Sequence, residues 1–162
     1  MGLIDELLSN NADFDGTEVG ALPVPPSRQL TVITCMDSRI DVFEMLGLRI
    51  GEAHILRNAG GIVTEDVLRS LTISQRKLNT REVVIIQHTG CGIGTFSDAD
   101  FDRELWNVTG ARPQWRAQTF TDIDESVRES MRRIRTDPFV AHVDSVRGFV
   151  LEIVSGRLRE VE

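Results

Sequence analysis

The sequence predicts an α/β fold: a mostly parallel central β-sheet flanked by helices, with an antiparallel C-terminal edge hairpin and an N-terminal helical arm. From residue 30 onward, short apolar runs of strand length alternate with segments of helical periodicity, which favours parallel strands joined by right-handed crossovers. Residues 83–86 are continuously apolar, as expected for a strand covered on both faces of a sheet. Near the C-terminus, Ser155-Gly156-Arg157 separates two β-prone segments, which predicts a hairpin.

The N-terminal segment predicts a docking helix on an extended arm. Residues 2–9 carry apolar side chains on one helical face, namely Leu3, Ile4, Leu7 and Leu8. Two helical turns are not stable alone in water, so this face must dock on something. Residues 10–28 hold three of the five prolines and indicate an extended segment. We therefore interpret residues 1–162 as a single domain whose residues 1–28 form an arm that contacts a partner subunit, although folding back onto the same chain is equally possible.

The remaining elements follow from apolar periodicity and from capping residues. The predicted strands are residues 30–35, 53–57, 82–87, 146–154 and 158–161. The predicted helices are residues 41–46, 64–78, 98–108 and 122–135. Thr64 and Ser97 are the expected N-caps of the second and third of these helices. In the third helix, we expect Phe101, Leu105 and Val108 to face inward.

Composition restricts the class of partner. The chain has 162 residues, with 25 acidic against 18 basic side chains and a formal net charge of −7, which argues against nucleic acid or an anionic membrane surface. It contains neither an apolar stretch near the ~20 residues that span a bilayer nor an N-terminal pattern typical of a signal peptide. We therefore expect a cytoplasmic protein whose two cysteines serve metal binding or catalysis rather than a disulfide.

Reactive side chains follow two of the predicted strands. Cys35 ends the first strand, whereas His88 and Cys91 follow the third. If those strands are adjacent, their carboxyl ends bring the three side chains together. Two sulfurs and one imidazole form a plausible zinc site, and three protein ligands leave the free coordination position that catalytic zinc requires.

Asp37 and Arg39 flank Ser38 in the predicted exit loop, so an ion pair between them is geometrically natural. A carboxylate held by arginine stays ionised at neutral pH. It can therefore accept a hydrogen bond from a zinc-bound hydroxide and aim the nucleophilic lone pair. If Arg39 let go, Asp37 could occupy the open coordination position instead.

Each of these residues also has an ordinary structural interpretation. Cys35 alone would more often be a small buried apolar residue, Asp37 a helix cap, and Cys91 an inert thiol. Their combination at two strand ends favours the site. Residues 57–61 form either a tight turn or a backbone wall beside the metal, and local sequence does not separate these alternatives.

Three motifs in order resemble the signatures of the β-class carbonic anhydrases, and the short chain is most similar to their compact archaeal and actinobacterial branch. The motifs are Cys35-Met36-Asp37-Ser38-Arg39, Arg57-Asn58-Ala59-Gly60-Gly61 and His88-Thr89-Gly90-Cys91-Gly92. The resemblance implies a lyase that hydrates carbon dioxide reversibly to bicarbonate and a proton, using a zinc-bound hydroxide. It also implies one Zn²⁺ per subunit and a homodimer or higher homo-oligomer.

The resemblance assigns roles to individual residues. Cys35, His88 and Cys91 become the zinc ligands, and Asp37 with Arg39 the catalytic dyad. The substrate pocket is expected to include Ala59, Gly60 and Gly61.

Two alternatives stay open. Relatives with the same zinc core hydrolyse carbonyl sulfide or carbon disulfide, and sequence does not choose between these substrates and carbon dioxide. A non-catalytic zinc or thiol redox module is the second alternative, with Asp37 as a fourth ligand.

Overall fold

The computed structural model describes residues 2–162. The strands, in chain order, are β1 Leu30–Cys35, β2 Ala53–Asn58, β3 Glu82–His88, β4 Val146–Glu152 and β5 Arg157–Val161. Within the described residues they form a five-stranded sheet in the order β2-β1-β3-β4-β5. The pairs among β1 to β4 are parallel, whereas β5 is antiparallel to β4. The predicted fold class is therefore confirmed.

The helices flank this sheet. In chain order they are α1 Leu3–Ala12, α2 Thr17–Gly20, α3 Val42–Leu46, α4 Glu65–Leu78, α5 Asp98–Thr109 and α6 Ile123–Thr136. The hydroxyl of Thr64 accepts the Val67 N–H at 3.4 Å, and that of Ser97 accepts the Asp100 N–H at 3.1 Å. Both predicted caps thus satisfy a free N–H of a first helical turn. Of the helices in residues 2–162, none is both long and apolar enough to cross a membrane.

Three local predictions were wrong. Helix α1 continues to Ala12 and α2 follows it, so the segment after residue 9 is less extended than expected. Val108 is 80% exposed rather than inward, because no residue of α5 is buried and the helix presents no core-facing stripe. Strand β4 ends at Glu152 and not at residue 154 as predicted. The Gly156 N–H bonds to the Glu152 carbonyl at 2.8 Å and closes the turn there.

Apolar side chains cover both faces of the sheet. On one face, buried residues of β1, β3 and β4 pack against α4 and α6, including Ile33, Ile85, Val150, Leu71 and Val127. On the other face, Val32, Ile86 and Leu151 pack with residues in and near α3, including Val42 and Leu48. Burial on both faces explains why residues 83–86 of β3 are continuously apolar in sequence.

The parallel pairing of β1 with β3 positions the residues that matter for function. Thr34 lies opposite Ile86, so Cys35 and His88 emerge at the same edge of the sheet from neighbouring strands. The chain then leaves β1 toward β2 on one side and leaves β3 toward β4 on the other. This divergence opens a crevice at the carboxyl ends of the strands, the usual ligand position in such sheets.

A tight turn, residues 59–61, presses against that crevice. Gly61 has φ +62°, and a Cβ there would lie 2.7 Å from the Cys35 nitrogen and 2.8 Å from the Thr34 carbonyl carbon. The close approach of backbone to backbone requires glycine at this position.

We expect Gly61→Ala to destabilise the protein by about 2–5 kcal/mol. The positive φ costs about 1–2 kcal/mol for an L-residue, and crowding the β1 backbone adds about 1–3 kcal/mol. Gly156→Ala is the matched control, because Gly156 has φ +70° but no atom within 4 Å of its Cβ position, so it should lose only the first contribution. Urea unfolding measures both variants, and equal losses would contradict the close approach at Gly61.

Candidate metal centre

Three candidate ligands converge at the carboxyl ends of β1 and β3. The ligand atoms of Cys35, His88 and Cys91 all lie within 4.8 Å of one another, and the two sulfurs are 3.7 Å apart. Cys35 is buried and Cys91 is half-buried. The residues that sequence alone grouped are therefore brought together in space.

The orientation of His88 leaves one ring nitrogen available. Its Nδ1 lies 3.0 Å from the Thr89 carbonyl oxygen, which can only accept, so Nδ1 carries the proton. The other nitrogen, Nε2, is buried without a hydrogen-bond partner among the described residues. Leaving a buried polar atom unpaired costs about 1–3 kcal/mol, and a backbone bond through the opposite ring nitrogen is the usual arrangement of a metal-bound histidine. The donor set fits a metal ion.

The two thiols differ in acidity. Burial raises the pKa of the Cys35 thiol, but the His88 imidazole and the backbone N–H groups of Asp37 and Gly60 outweigh it and lower the pKa to about 7. Burial raises the pKa of the Cys91 thiol to about 11, and the nearby Cys35 sulfur adds to this effect. Two thiolates this close would repel each other, and a cation coordinated by both sulfurs would remove that repulsion.

Asp37 and Arg39 form the expected ion pair beside these ligands. The guanidinium of Arg39 donates through Nε to Oδ1 at 2.9 Å and through Nη2 to Oδ2 at 2.6 Å. This bidentate pair holds the pKa of the Asp37 carboxyl well below its usual range. Oδ2 lies 3.6 Å from His88 Nε2, so the ionised carboxylate borders the ligand group. Arg39 also donates to the Gly90 carbonyl at 3.1 Å, which joins the two loops that carry the ligands.

A cavity of about 760 Å³ opens beside the ligands, and Cys35, Asp37 and Cys91 lie on its wall. Much of its lining is apolar, including Ile62, Ile93, Phe96, Phe101 and Trp115. An apolar cavity next to a polar ligand group suits a small substrate without a net dipole.

Two of the three residues in the turn 59–61 line this cavity. Ala59 and Gly60 line it, whereas Gly61 packs on the backbone of β1 and is not among the described lining residues. The backbone wall and the tight turn, which sequence could not separate, are thus both present.

The other two histidines lie away from the ligand group. His54 Nδ1 is 2.7 Å from the Ser74 hydroxyl in a buried network. His142 donates its backbone N–H to Gln75 Oε1 at 2.8 Å. Neither belongs to the ligand group of the described residues.

Sequence reasoning missed two features of the site. One is the role of Arg57, which the second motif contains and which donates hydrogen bonds to three carbonyls of the loop after β1. Sequence did not predict these contacts, because carbonyl partners leave no trace in the sequence. The other is the aromatic part of the cavity wall, Phe96, Phe101 and Trp115, which comes from a loop and a helix that only the fold brings together.

The chain is similar in sequence to known carbonic anhydrases and to related hydrolases. A family described as carbonic anhydrase matches residues 30–158. Beta-carbonic anhydrase 1 of Mycobacterium tuberculosis is 49% identical over 161 residues, which cover 99% of each chain. A carbon disulfide hydrolase of Acidithiobacillus thiooxidans is 31% identical over 173 residues, covering 91% of this chain and 86% of the hydrolase.

Solved structures show the same similarity. Carbonic anhydrase from Streptococcus mutans superposes with a TM-score of 0.89 at 38% sequence identity, covering 100% of this chain and 99% of the other. A carbon disulfide hydrolase in its apo form gives a TM-score of 0.76 at 27% identity, covering 98% and 90% of the two chains.

We expect Cys91→Ser to lose its bound metal during dialysis, whereas the unmodified chain retains about one metal ion. Replacing even an outer partner of a metal ligand costs about 10–100-fold in affinity, and loss of a ligand should cost more. Mass spectrometry of metal content checks this, with His142→Gln as a control that removes a histidine outside the group. Full metal content in Cys91→Ser would contradict the assignment of Cys91 as a ligand.

Proposed function

The chain belongs to the β-carbonic anhydrase family, and on this basis we propose that it catalyses the reversible hydration of carbon dioxide to bicarbonate and a proton. One observation carries the proposal: Cys35, His88 and Cys91 lie within 4.8 Å of one another and border a carboxylate held by arginine. Together with an apolar cavity, this arrangement offers both a metal position and a place for a small apolar substrate.

We propose that Cys35, His88 and Cys91 hold one Zn²⁺ per subunit. Thiolate and imidazole are ligands that zinc prefers, and three of them leave a coordination position free. When bound, zinc supplies a Lewis acid that lowers the pKa of water. The unpaired Nε2 of His88 supports this assignment, because the buried nitrogen lacks a partner among the described residues.

In the proposed mechanism, Asp37 orients the attacking water. Its carboxylate is ionised, because Arg39 lowers its pKa, and it therefore accepts a hydrogen bond and aims an oxygen lone pair at the substrate carbon. Arg39 keeps the carboxylate in place and away from the metal position. The Asp37 side chain is 16% exposed, so the carboxylate that orients the water is not sealed from solvent.

We propose that carbon dioxide lies against Ala59 and Gly60. Both line the cavity next to Cys35, and their small, apolar surface suits a molecule that has no net dipole. Gly61 acts indirectly in this proposal, by fixing the turn against β1.

Hydrolysis of carbon disulfide or carbonyl sulfide is the second candidate. Carbon disulfide hydrolases are among the relatives, at lower identity than the mycobacterial carbonic anhydrase. A non-catalytic site is less favoured, because the bidentate bond to Arg39 holds Asp37 as a partner of arginine rather than as a fourth ligand.

We also propose that the protein is cytoplasmic, since reduced thiols persist in that compartment. We further propose that it forms a homodimer or a higher homo-oligomer. Residues 1–162 would form a single domain whose arm, residues 1–28, packs on the second subunit. The apolar face of α1 supports this, because its side chains are 57–73% exposed, namely Leu3, Ile4, Leu7 and Leu8. A ten-residue helix with an uncovered apolar face is not stable alone in water.

We expect the zinc-loaded protein to hydrate carbon dioxide, as measured by stopped flow with a pH indicator, and to release little sulfide from carbonyl sulfide or carbon disulfide. Asp37→Ala should retain zinc and lose about 100-fold or more in kcat, since a positioned acid–base group contributes about 10²–10⁴-fold. Strong sulfide release with negligible hydration would favour the second candidate. Unchanged hydration in Asp37→Ala would contradict the role of Asp37.

We expect sedimentation velocity to show a dimer or larger assembly, and the double variant Ile4→Lys/Leu7→Lys to shift toward monomer, because charge on the apolar face of α1 prevents its burial. Val154→Lys is the control, since Val154 is 97% exposed outside the arm. A monomeric unmodified protein, or a variant that assembles normally, would contradict the proposed role of the arm.

A further inference from the structure

Arg57, near the end of β2, contacts the loop that follows β1. Its Nε donates to the Cys35 carbonyl at 2.8 Å, Nη1 to the Ile40 carbonyl at 3.1 Å and Nη2 to the Asp37 carbonyl at 2.6 Å. One guanidinium therefore bonds to both ends and the middle of residues 35–40.

Arg57 makes these hydrogen bonds without an ion-pair partner among the described residues. None of the ion pairs found among residues 2–162 includes Arg57, so its charge is directed at carbonyl dipoles. Hydrogen bonds from a charged donor are about twice as strong as neutral ones. The loop is thus held more firmly than its exposed position suggests.

The central contact fixes the backbone of Asp37. The Asp37 carbonyl accepts from Arg57 and also from the Ile40 N–H at 3.1 Å, while the neighbouring Met36 N–H bonds to the Asn58 carbonyl at 2.8 Å. Restraining this backbone fixes the position of the Asp37 Cα atom, from which the side chain extends. That side chain must reach Arg39 and still border His88.

We propose that Arg57 is a positioning residue for Asp37, distinct from Arg39: Arg39 holds the carboxylate, whereas Arg57 holds the backbone that presents it. The inference rests on the proposed function, because it concerns the residue that orients the attacking water. Lysine cannot replace Arg57 here, since a compact ammonium group lacks the planar fork that spans three carbonyls.

The test combines Arg57→Gln and Arg57→Lys with Asp37→Ala in a double-mutant cycle. In the unmodified background, both Arg57 variants should retain zinc and lose about tenfold or more in kcat with little change in KM, because a 1 Å misplacement can cost about 100-fold. In the Asp37→Ala background the same substitutions should cost less than about twofold. Arg135→Gln, which removes an arginine–carbonyl bond to Val146 at 2.7 Å away from the site, should leave kcat unchanged.

A second measurement does not depend on turnover. The Nε–H of Arg39, bonded to Asp37, should give a slowly exchanging ¹⁵N NMR signal in the unmodified protein and in Arg135→Gln. It should exchange faster in both Arg57 variants.

Several results would overturn the inference. These are unchanged kcat in both Arg57 variants, full rescue by Arg57→Lys, an equal loss in the Asp37→Ala background, or unaltered exchange of the Arg39 signal. Loss of zinc from both Arg57 variants would also overturn it, since Arg57 would then serve Cys35 rather than Asp37. If the unmodified zinc protein hydrates no carbon dioxide, the proposed function fails, and the NMR signal still decides whether Arg57 positions Asp37.

Discussion

The parallel pairing of β1 with β3 is the constraint on which the site depends. It places Cys35 at the end of one strand and His88 at the end of its neighbour, and the short turn after β3 returns Cys91 to within 3.7 Å of the first sulfur. His88 Nε2 is buried there without a hydrogen-bond partner among the described residues, and leaving such an atom unpaired is unfavourable. The fold therefore creates a group of donor atoms that could hold a metal ion.

The loops around the ligands are fixed by hydrogen bonds from side chains to backbone. Arg39 joins the two ligand loops through the Gly90 carbonyl. Asn58 donates to the Ile62 carbonyl at 2.8 Å and accepts the Ile62 N–H at 3.1 Å, which closes the turn of residues 59–61. That turn packs on β1 through Gly61. Pre-organised groups of this kind are what catalysis at a small substrate requires, because such a substrate offers little binding energy of its own.

Sequence predicted those features that depend on local pattern. Strands β1 and β3 are rich in apolar residues, and Cys35 and His88 are their last residues. The meeting of Cys35 with His88 therefore required only that the strands be neighbours. Sequence did not predict the features in which a side chain contacts backbone groups or solvent. The carbonyls bound by Arg57 leave no signal. Val108 has the spacing of an inward-facing residue, although no residue of α5 is buried.

The claim that two sulfurs and one imidazole hold the same metal ion is tested most directly by X-ray absorption at the zinc K-edge of the purified protein. The account predicts two sulfur neighbours at about 2.3 Å and the remaining nitrogen or oxygen neighbours at about 2.0–2.2 Å. An absent zinc signal with Cys35 and Cys91 joined as a disulfide, or zinc surrounded by oxygen alone, would contradict it.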